Sequence, residues 1–351
     1  MNQTYVSGRG AQIHPPNPFS KAEYVEEHHE GIDEYPRVGP ETELFYETPQ
    51  TIISKYNSPD LGGEGYSLNP YQGCEHGCVY CYARNSHQYW GFNAGLDFES
   101  KIIVKKNAPC LLEKVFLSKT WRPRPVMMSG NTDCYQPLEK KLEITRSLLK
   151  VFEKYQNPIS MITKNSLIER DIDILQELSK NNLAKVFISI NSTNESLRRK
   201  MEPRTASIEK RLKTIEMLSD AGIPTGVMVA PVIPGLNDHD LPEIMKRAAD
   251  HGATGSGYEV VRLNGSIGKI FKDWMVKNYP DKTVKVWTQI ESMHGGKVND
   301  TEWQRRLLGE GNFAIMIAKL YQASKDKYFR GRSMPVLDRT HFRKGGNLTL
   351  F

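Results

Sequence analysis

Three of the five cysteines in this 351-residue chain stand within eight residues of one another. Cys74, Cys78 and Cys81 form the spacing C-x3-C-x2-C, whereas Cys110 and Cys134 are isolated in the sequence. Thiolates are ligands that zinc and iron–sulfur clusters take in proteins. Three of them on so short a loop can therefore cover one face of a compact metal centre.

Two kinds of metal centre fit this spacing. A structural zinc site takes four ligands, usually from two cysteine pairs; no second pair is present, although His76 in the same loop can serve as a fourth ligand. A 4Fe–4S cluster held by three cysteines keeps one iron open, and an open coordination site is what chemistry requires. The spacing favours the cluster, and a zinc-stabilised, non-catalytic nucleic-acid-binding module is the alternative.

The elements that must position this loop follow a regular alternation. Short apolar runs predict strands, and amphipathic stretches between them predict helices. Strands alternating with helices predict an α/β fold whose parallel sheet is open or curled into a partial or full barrel, with ligands at the carboxyl ends of the strands. The predicted strands are residues 67–71, 126–128, 158–162, 186–190, 227–230 and 257–262.

The first 66 residues differ from this pattern. Residues 1–66 are rich in Pro, Gly, Glu and His and carry a net charge of −7. Such composition predicts an extended arm rather than a packed domain. The adjacent His28 and His29 are interpreted as part of a solvated acidic tract and not as metal ligands.

The other end of the chain is basic. Helical patterns at 267–278 and 301–323 predict a small C-terminal extension over residues 265–351. Residues 325–332 (KDKYFRGR) interleave cationic and aromatic side chains, as phosphate contacts with base stacking require. The whole chain has a net charge of +6, but residues 67–351 carry +13, which favours an anionic partner such as nucleic acid.

The composition excludes several classes of protein. With 38% hydrophobic and 25% charged residues, it is that of an ordinary globular protein. No apolar run approaches the roughly 20 residues of a membrane span, and the polar N-terminus has no signal-peptide core. We therefore expect a cytoplasmic protein without a membrane partner.

The sequence around the cysteines, residues 69–84 (NPYQGCEHGCVYCYAR), resembles the signature of the radical S-adenosylmethionine (SAM) superfamily. Within it, the string is similar to the branch that contains spore photoproduct lyase, and the resemblance extends from residue 67 to about residue 262. It implies a partial (β/α)6 TIM-like barrel over residues 67–264. It also implies that Cys74, Cys78 and Cys81 hold a 4Fe–4S cluster whose open iron binds SAM.

The resemblance also implies an activity. Such enzymes reductively cleave SAM to a 5′-deoxyadenosyl radical that abstracts hydrogen from a substrate, and they need an external electron donor of the flavodoxin or ferredoxin type. The basic body favours a nucleic-acid substrate, in DNA repair or RNA modification. A peptide, a protein or a small metabolite is the alternative substrate.

Polar and apolar residues after successive strands are similar to SAM-binding positions of the superfamily. The positions implied are Tyr80 beside the cluster, Thr132 or Asp133 for the SAM amine, Lys164 for its carboxylate, Ser189 or Asn191 for ribose, Arg204 for a carboxylate, and Val229 and Ile233 against adenine. Two of these positions have a structural alternative. Thr132 and Asp133 can instead cap a turn, and Arg204 can instead tie its loop to Glu202.

Two further residues are implied in hydrogen transfer. Tyr82 matches an aromatic position that takes part in this step in the spore photoproduct lyase branch. That branch also has a hydrogen-donating cysteine three residues before Asp133, where this chain has Gly130. Cys134 is the nearby alternative donor, and the departure argues against thymine-dimer repair as the reaction.

Overall fold

The strands of this computed structural model, which describes residues 5–19, 41–61 and 63–345, form two sheets. His28 and His29 lie outside the described residues. The strands are β1 (Glu43–Tyr46), β2 (Ile53–Ser58), β3 (Gly63–Leu68), β4 (Tyr71–Gln72), β5 (Lys101–Val104), β6 (Val126–Met128), β7 (Ile159–Thr163), β8 (Ala184–Ser189), β9 (Thr225–Val232) and β10 (Gly255–Val260).

Helices cover the outside of the larger sheet and continue beyond it. The α-helices are α1 (Leu96–Ser100), α2 (Ala108–Leu117), α3 (Glu139–Leu142), α4 (Ile144–Tyr155), α5 (Ile172–Ser179), α6 (Glu195–Met201), α7 (Ile208–Asp220), α8 (Leu241–Asp250), α9 (Ser266–Asn278), α10 (Pro280–Met293), α11 (Arg305–Leu308) and α12 (Gly311–Tyr328). Short 3-10 helices occupy Pro59–Leu61, Tyr82–Trp90, Ser166–Asp171 and Asp238–Asp240.

The larger sheet is the predicted partial barrel. Its order is β10-β9-β8-β7-β6-β3-β2, in which β3 and β6 to β10 are parallel and β2 pairs antiparallel with β3 at the edge. The six parallel strands confirm the predicted (β/α)6 architecture. A smaller sheet of order β1-β5-β4 lies beside the start of the cysteine loop, since β4 ends two residues before Cys74.

The alternation of side chains along each strand separates the two faces of the barrel sheet. On β8, Val186 and Ile188 are buried in the main core, where β8 packs against α5 and α7. Lys185, Phe187 and Ser189 of the same strand point to the concave face and line a cavity there. The outer face therefore stabilises the fold, and the inner face is available for ligands.

Several elements differ from the sequence prediction. The helical spacing of apolar residues from Leu138 to Tyr155 predicts one helix, but the structure has two, because Glu143 has a positive φ of 50° and separates α3 from α4. Strands β1, β2 and most of β3 lie within the first 66 residues, and composition did not indicate β1 because all four side chains of this edge strand are exposed. The sequence pattern also did not predict α10, because Pro280 and the lysines after it interrupt the spacing of its buried apolar residues.

The described part of the chain contains no helix that is both long and apolar enough to cross a membrane.

Candidate active site

The three cysteines of the loop after β4 meet at one cavity. Cys74 and Cys78 are buried, Cys81 is half-buried, and all three line a cavity of about 490 Å³ at the carboxyl ends of the parallel strands. Burial raises the pKa of the Cys74 thiol, and Asp133 and the other two cysteines raise it further. The three thiols therefore face a common cavity.

A buried ion pair supports this loop from behind. Glu99 pairs with Arg84 at 2.5 Å, and its carboxylate also accepts the N–H groups of Gly10 and Ala11 at 3.0 and 2.7 Å. Gly77 has a φ of +68°, and a Cβ there would stand 2.7 Å from Glu99 Oε2. The N-terminal segment and the cysteine loop are thus both attached to the Arg84–Glu99 pair.

A buried histidine also packs behind the loop. The ring of His87 stacks on Phe92 with centroids 5.1 Å apart and meets the edge of Phe98 at 5.6 Å. Burial is the main reason that the pKa of His87 falls from its ordinary 6.5 to about 4. Phe98 itself packs against Cys74 and Cys81.

We expect His87 to make the folded state sensitive to mild acid. Between pH 6.5 and 4 the unfolded chain binds a proton at this residue and the folded chain does not, so folding stability falls as the pH is lowered through this window. The loss approaches about 3 kcal/mol at pH 4. Chemical unfolding at pH 7.5, 5.5 and 4 measures it; His87→Leu should show a smaller loss by this amount, and equal losses would contradict the assignment.

Asp133 connects the ends of two strands to the cysteine loop. Its Oδ1 accepts from Thr163 Oγ1 at 2.7 Å and from the Tyr135 N–H at 2.9 Å. Its Oδ2 accepts from the Lys164 N–H at 2.8 Å and lies 3.3 Å from His76 Nδ1. Burial opposes ionisation of Asp133, but His76 and the backbone N–H groups outweigh it and hold the pKa at about 2. The Asp133 carboxylate thus accepts hydrogen bonds within its own turn and from the end of β7, and it also lines the cavity.

The donors available at the loop fit an iron–sulfur cluster. His76 Nε2 lies 3.3 Å from Asn165 Nδ2, and its Nδ1 lies 3.3 Å from Asp133 Oδ2 without forming a hydrogen bond with any described residue. In the described ranges, no three His, Cys, Asp or Glu side chains form a group that could hold a single ion. Three soft thiols on a concave surface remain, which suit a cluster in which each thiolate binds a separate iron.

Lys164 is the cation next to these thiols. It follows β7 and lines the same cavity. Burial disfavours its charge, but Cys78, Glu202 and Asp133 outweigh burial and raise its pKa. The Lys164 side chain is thus an ammonium group held in the cavity, available to an anionic ligand group.

A buried network fixes the wall beside Lys164. The Tyr80 hydroxyl donates to Glu202 Oε1, and Arg211 donates to Glu202 Oε2 at 2.6 Å and to the Ser189 carbonyl at 2.9 Å. Asn191 Nδ2 donates to the Tyr80 oxygen at 3.3 Å, whereas no described residue donates a hydrogen bond to the buried Asn191 Oδ1. The network thus contains one buried acceptor that the described part of the chain leaves unsatisfied.

Breaking this network should destabilise the fold strongly. Glu202→Ala leaves Arg211, which is 1% exposed, with no carboxylate, and we expect a loss of about 3–5 kcal/mol in the free energy of unfolding. Glu209→Ala removes the exposed Glu209–Arg247 pair and should cost less than about 1 kcal/mol. Denaturant unfolding of both variants tests this, and a similar loss in both would contradict it.

The structure brings together about half of the implied SAM-binding residues. Arg204 pairs with Glu75 at 3.3 Å outside the cavity, so the predicted tie between Arg204 and Glu202 is wrong. The implied residues that line the cavity are Tyr80, Thr132, Asp133, Lys164 and Ser189, and those outside its wall are Asn191, Arg204, Val229 and Ile233.

The strand β9 explains the position of Val229. Its side chain is buried in the main core on the outer face of the sheet. Met228 and Ala230 on either side of it line the cavity, as the alternation of a strand requires. Ile233 lies past the end of β9 in a second core cluster with Leu236. The apolar wall available to an adenine ring is therefore Met228 and Ala230.

The two residues implied in hydrogen transfer have different positions. Tyr82 lines the cavity, and its hydroxyl donates to the Gly130 carbonyl. The Cys134 thiol is buried in the main core, because the residue after Asp133 turns away from the cavity. The structure thus corrects the expectation that Cys134 faces a substrate.

Sequence reasoning missed the charged residues on the far side of the cavity. Arg262 lies with its guanidinium 5.5 Å from the centroid of the Tyr82 ring, and Glu259 and Arg306 line the same side. Burial and then the nearby Arg306 lower the pKa of Arg262, although Glu259 opposes this. Within the described ranges Arg262 has no carboxylate at ion-pair distance. Charged residues in the predicted strand 257–262 were the available signal.

A parallel half-barrel with three cysteine thiols at the carboxyl ends of its strands is the scaffold of a metal-cluster enzyme. Residues 68–248 match the family model of the Radical SAM superfamily. The chain belongs to the radical SAM superfamily. Its members use a 4Fe–4S cluster and SAM, so the predicted cofactors are confirmed, and membership replaces the zinc-module alternative.

Comparisons with individual proteins support the same fold. The chain is 33% identical over 218 residues to an uncharacterized protein of Mycobacterium tuberculosis, covering 62% of this chain and 64% of that protein. It is 27% identical over 202 residues to a radical SAM Nalpha-GlyT isomerase of Pseudomonas phage M6, covering 57% and 39%. Spore photoproduct lyase complexed with dinucleoside spore photoproduct matches with a TM-score of 0.58 and 18% identity, covering 82% and 80%.

The matched segment thus spans less than two-thirds of the length of the mycobacterial relative.

Proposed function

We propose that this protein is a radical SAM enzyme that acts on a nucleic acid. The observation that carries the proposal is that three cysteine thiols, the Lys164 ammonium group and the Arg262 guanidinium all line one cavity. The thiols and Lys164 suit the cofactors at one side. Arg262 suits an anionic substrate group at the other.

In this proposal Cys74, Cys78 and Cys81 hold the cluster, and Lys164 pairs with the SAM carboxylate. When bound, these cofactors supply a 5′-deoxyadenosyl radical that abstracts hydrogen from the substrate. Asp133 is a positioning residue, because it fixes the backbone of Lys164. Ser189, which lines the cavity, is the residue available to a ribose hydroxyl.

The substrate side of the cavity supports an aromatic, anionic substrate. Tyr82 presents a ring on which a base can stack, and Arg262 beside it can bind a phosphate. Spore photoproduct lyase, which shares the fold, has been solved with a dinucleoside. The net charge of +13 on residues 67–351 favours the same class. In this proposal Tyr82 is the catalytic residue that takes part in hydrogen transfer.

The proposal includes a partner, since reductive cleavage requires one electron from outside the chain. We expect a flavodoxin-like or ferredoxin-like protein to supply it. Chemical reduction replaces this partner in the first assays.

A comparison of substrates tests the proposed function. The reconstituted protein is reduced with dithionite in the presence of SAM, with ultraviolet-irradiated DNA, untreated DNA, tRNA or a protein mixture added in turn. We expect one of the nucleic acids to accelerate 5′-deoxyadenosine formation and to become modified. Acceleration by the protein mixture alone would overturn the substrate class while leaving the superfamily chemistry in place.

Arg262 should contribute most of the affinity for the anionic group. The substitution Arg262→Gln removes the charge-assisted hydrogen bond between the guanidinium and the anionic group. We therefore expect roughly tenfold to hundredfold weaker binding of a fluorescent dinucleotide. Uncoupled SAM cleavage should stay unchanged, because Arg262 follows β10, which is three strands away from β7, the strand that Lys164 follows. Arg199→Gln, at a position 72% exposed outside the cavity, is the control. Equal affinity of both variants would contradict the assignment.

One observation favours a second candidate, a substrate that carries an amine, such as a peptide or a small metabolite. The Glu259 carboxylate lines the cavity beside Arg262, and burial raises its pKa. An ammonium group could pair with it. Stimulation of SAM cleavage by an amine-bearing substrate, lost in Glu259→Gln, would favour this candidate.

A further inference from the structure

A second pocket adjoins the candidate active site toward the amino-terminal ends of the strands. Its volume is about 290 Å³. It shares Lys185 and Phe187 with the larger cavity, because both side chains stand on the concave face of β8. The two cavities thus follow one another along the same strand, with Ser189 at the cofactor side and Lys185 at the other.

Cationic groups from three parts of the chain meet at this pocket. Lys185 comes from β8, Lys325 from the last turn of α12, and Arg332 from the segment after it; no Asp or Glu lines the pocket. Arg332 is fixed by donating to the carbonyls of Ala249 and Ala253 at 2.6 and 3.0 Å. The ammonium groups of Lys185 and Lys325 form no ion pair with any residue that the structure describes. The pocket therefore concentrates positive charge without a protein counter-ion.

The floor of the pocket is apolar and flat. A Cβ on Gly226 of β9 would stand 2.7 Å from the ring of Phe187, and a Cβ on Gly255 of β10 would collide with the Met334 side chain. Glycine at these two positions lets Phe187 and Met334 lie directly on the strands. The pocket thus combines an apolar surface with cations, the chemistry that binds a phosphate together with its attached base or sugar.

The structure changes the interpretation of the basic tail. Phe329 is 5% exposed and belongs to the main core, and Tyr328 packs against it half-buried, so the tail does not present an exposed row of rings to bases. The cations of the same segment, Lys325 and Arg332, instead converge with Lys185. The tail therefore contributes positive charge to this second pocket.

We propose that this pocket binds a backbone phosphate of a nucleic-acid strand whose reacting nucleotide lies in the active-site cavity. The inference rests on the proposed function and adds a second contact point to it. Ser189 and Lys185 are separated by four residues of β8, or about 13 Å. At the spacing of a stacked strand, about 3.4 Å per nucleotide, this distance corresponds to about four nucleotides.

The length of the bound strand tests this inference. Fluorescently labelled single strands of two and eight nucleotides are titrated against the reconstituted full chain at several salt concentrations. We expect the eight-nucleotide strand to bind at least tenfold more tightly than the dinucleotide. Lys325→Glu should remove this difference, lower the salt dependence for the long strand and leave dinucleotide binding and SAM cleavage unchanged. Lys319→Glu, an equal charge change on α12 outside the pocket, is the control.

Each outcome has a distinct meaning. Equal binding of short and long strands, or equal weakening by Lys319→Glu and Lys325→Glu, overturns the pocket and leaves the proposed function standing. If neither strand binds, both the pocket and the nucleic-acid substrate fall, whereas the SAM cleavage assay judges the radical chemistry separately. Selective loss of long-strand affinity in Lys325→Glu supports the inference.

Discussion

Replacing Cys78 with alanine is expected to abolish both the iron–sulfur cluster and reductive SAM cleavage. Cys78 is buried, lines the cavity and lies within electrostatic reach of Cys81 and Lys164. The loop has no spare thiol, and His76 lies between Asn165 and the Asp133 carboxylate, so we expect no neighbouring side chain to take the place of Cys78. A cluster that loses one of three protein ligands should not survive purification.

Iron and sulfide analysis with the cluster's visible absorption measures the first effect, and 5′-deoxyadenosine formation measures the second. Cys110→Ala is the matched control, because Cys110 is exposed and lies outside the cavity. It should retain full cluster content and cleavage. Cleavage that persists in Cys78→Ala, or that is lost equally in Cys110→Ala, would overturn the ligand assignment.

Replacing Lys164 with methionine should separate SAM binding from cluster assembly. Lys164 is a cation placed near Cys78, Glu202 and Asp133, and in the proposed function it pairs with the SAM carboxylate. Methionine keeps much of its length but removes the charge. Losing a charge-assisted hydrogen bond should weaken SAM binding roughly tenfold to hundredfold.

Titration of SAM into the reconstituted variant measures this loss, with iron content measured on the same sample. Lys213→Met removes an exposed lysine of α7 that lines neither cavity and should leave SAM affinity unchanged. Unchanged affinity in Lys164→Met would show that another group binds the carboxylate. Loss of iron along with affinity would mean that Lys164 supports the loop instead.

Patterns in the chain were sufficient to predict the barrel and its cysteine loop. Buried parallel strands such as β8 and β9 are apolar runs bounded by turn residues, which a local reading of sequence detects. The cysteines are recognisable because ligand chemistry constrains their spacing. Strands β1 and β2 were not predicted, because edge strands with exposed side chains carry no apolar periodicity.

Orientation was harder to predict than location. Val229 and Cys134 lie in the right segments, but each side chain points into the main core. Successive side chains of a strand or tight turn point in opposite directions, so a shift of one residue moves a side chain from the cavity to the core. Sequence alone does not say which residues point to which side. Arg204 lies outside the cavity wall, and its partner Glu75 could not be predicted because the two residues are distant in sequence.

Metal analysis followed by SAM cleavage tests the central claim most directly. Protein purified without oxygen should contain about four irons and four sulfides per chain. On reduction with SAM present, it should release 5′-deoxyadenosine and methionine in equal amounts. Stoichiometric zinc with neither iron nor sulfide, or an intact cluster that never cleaves SAM, would contradict the account.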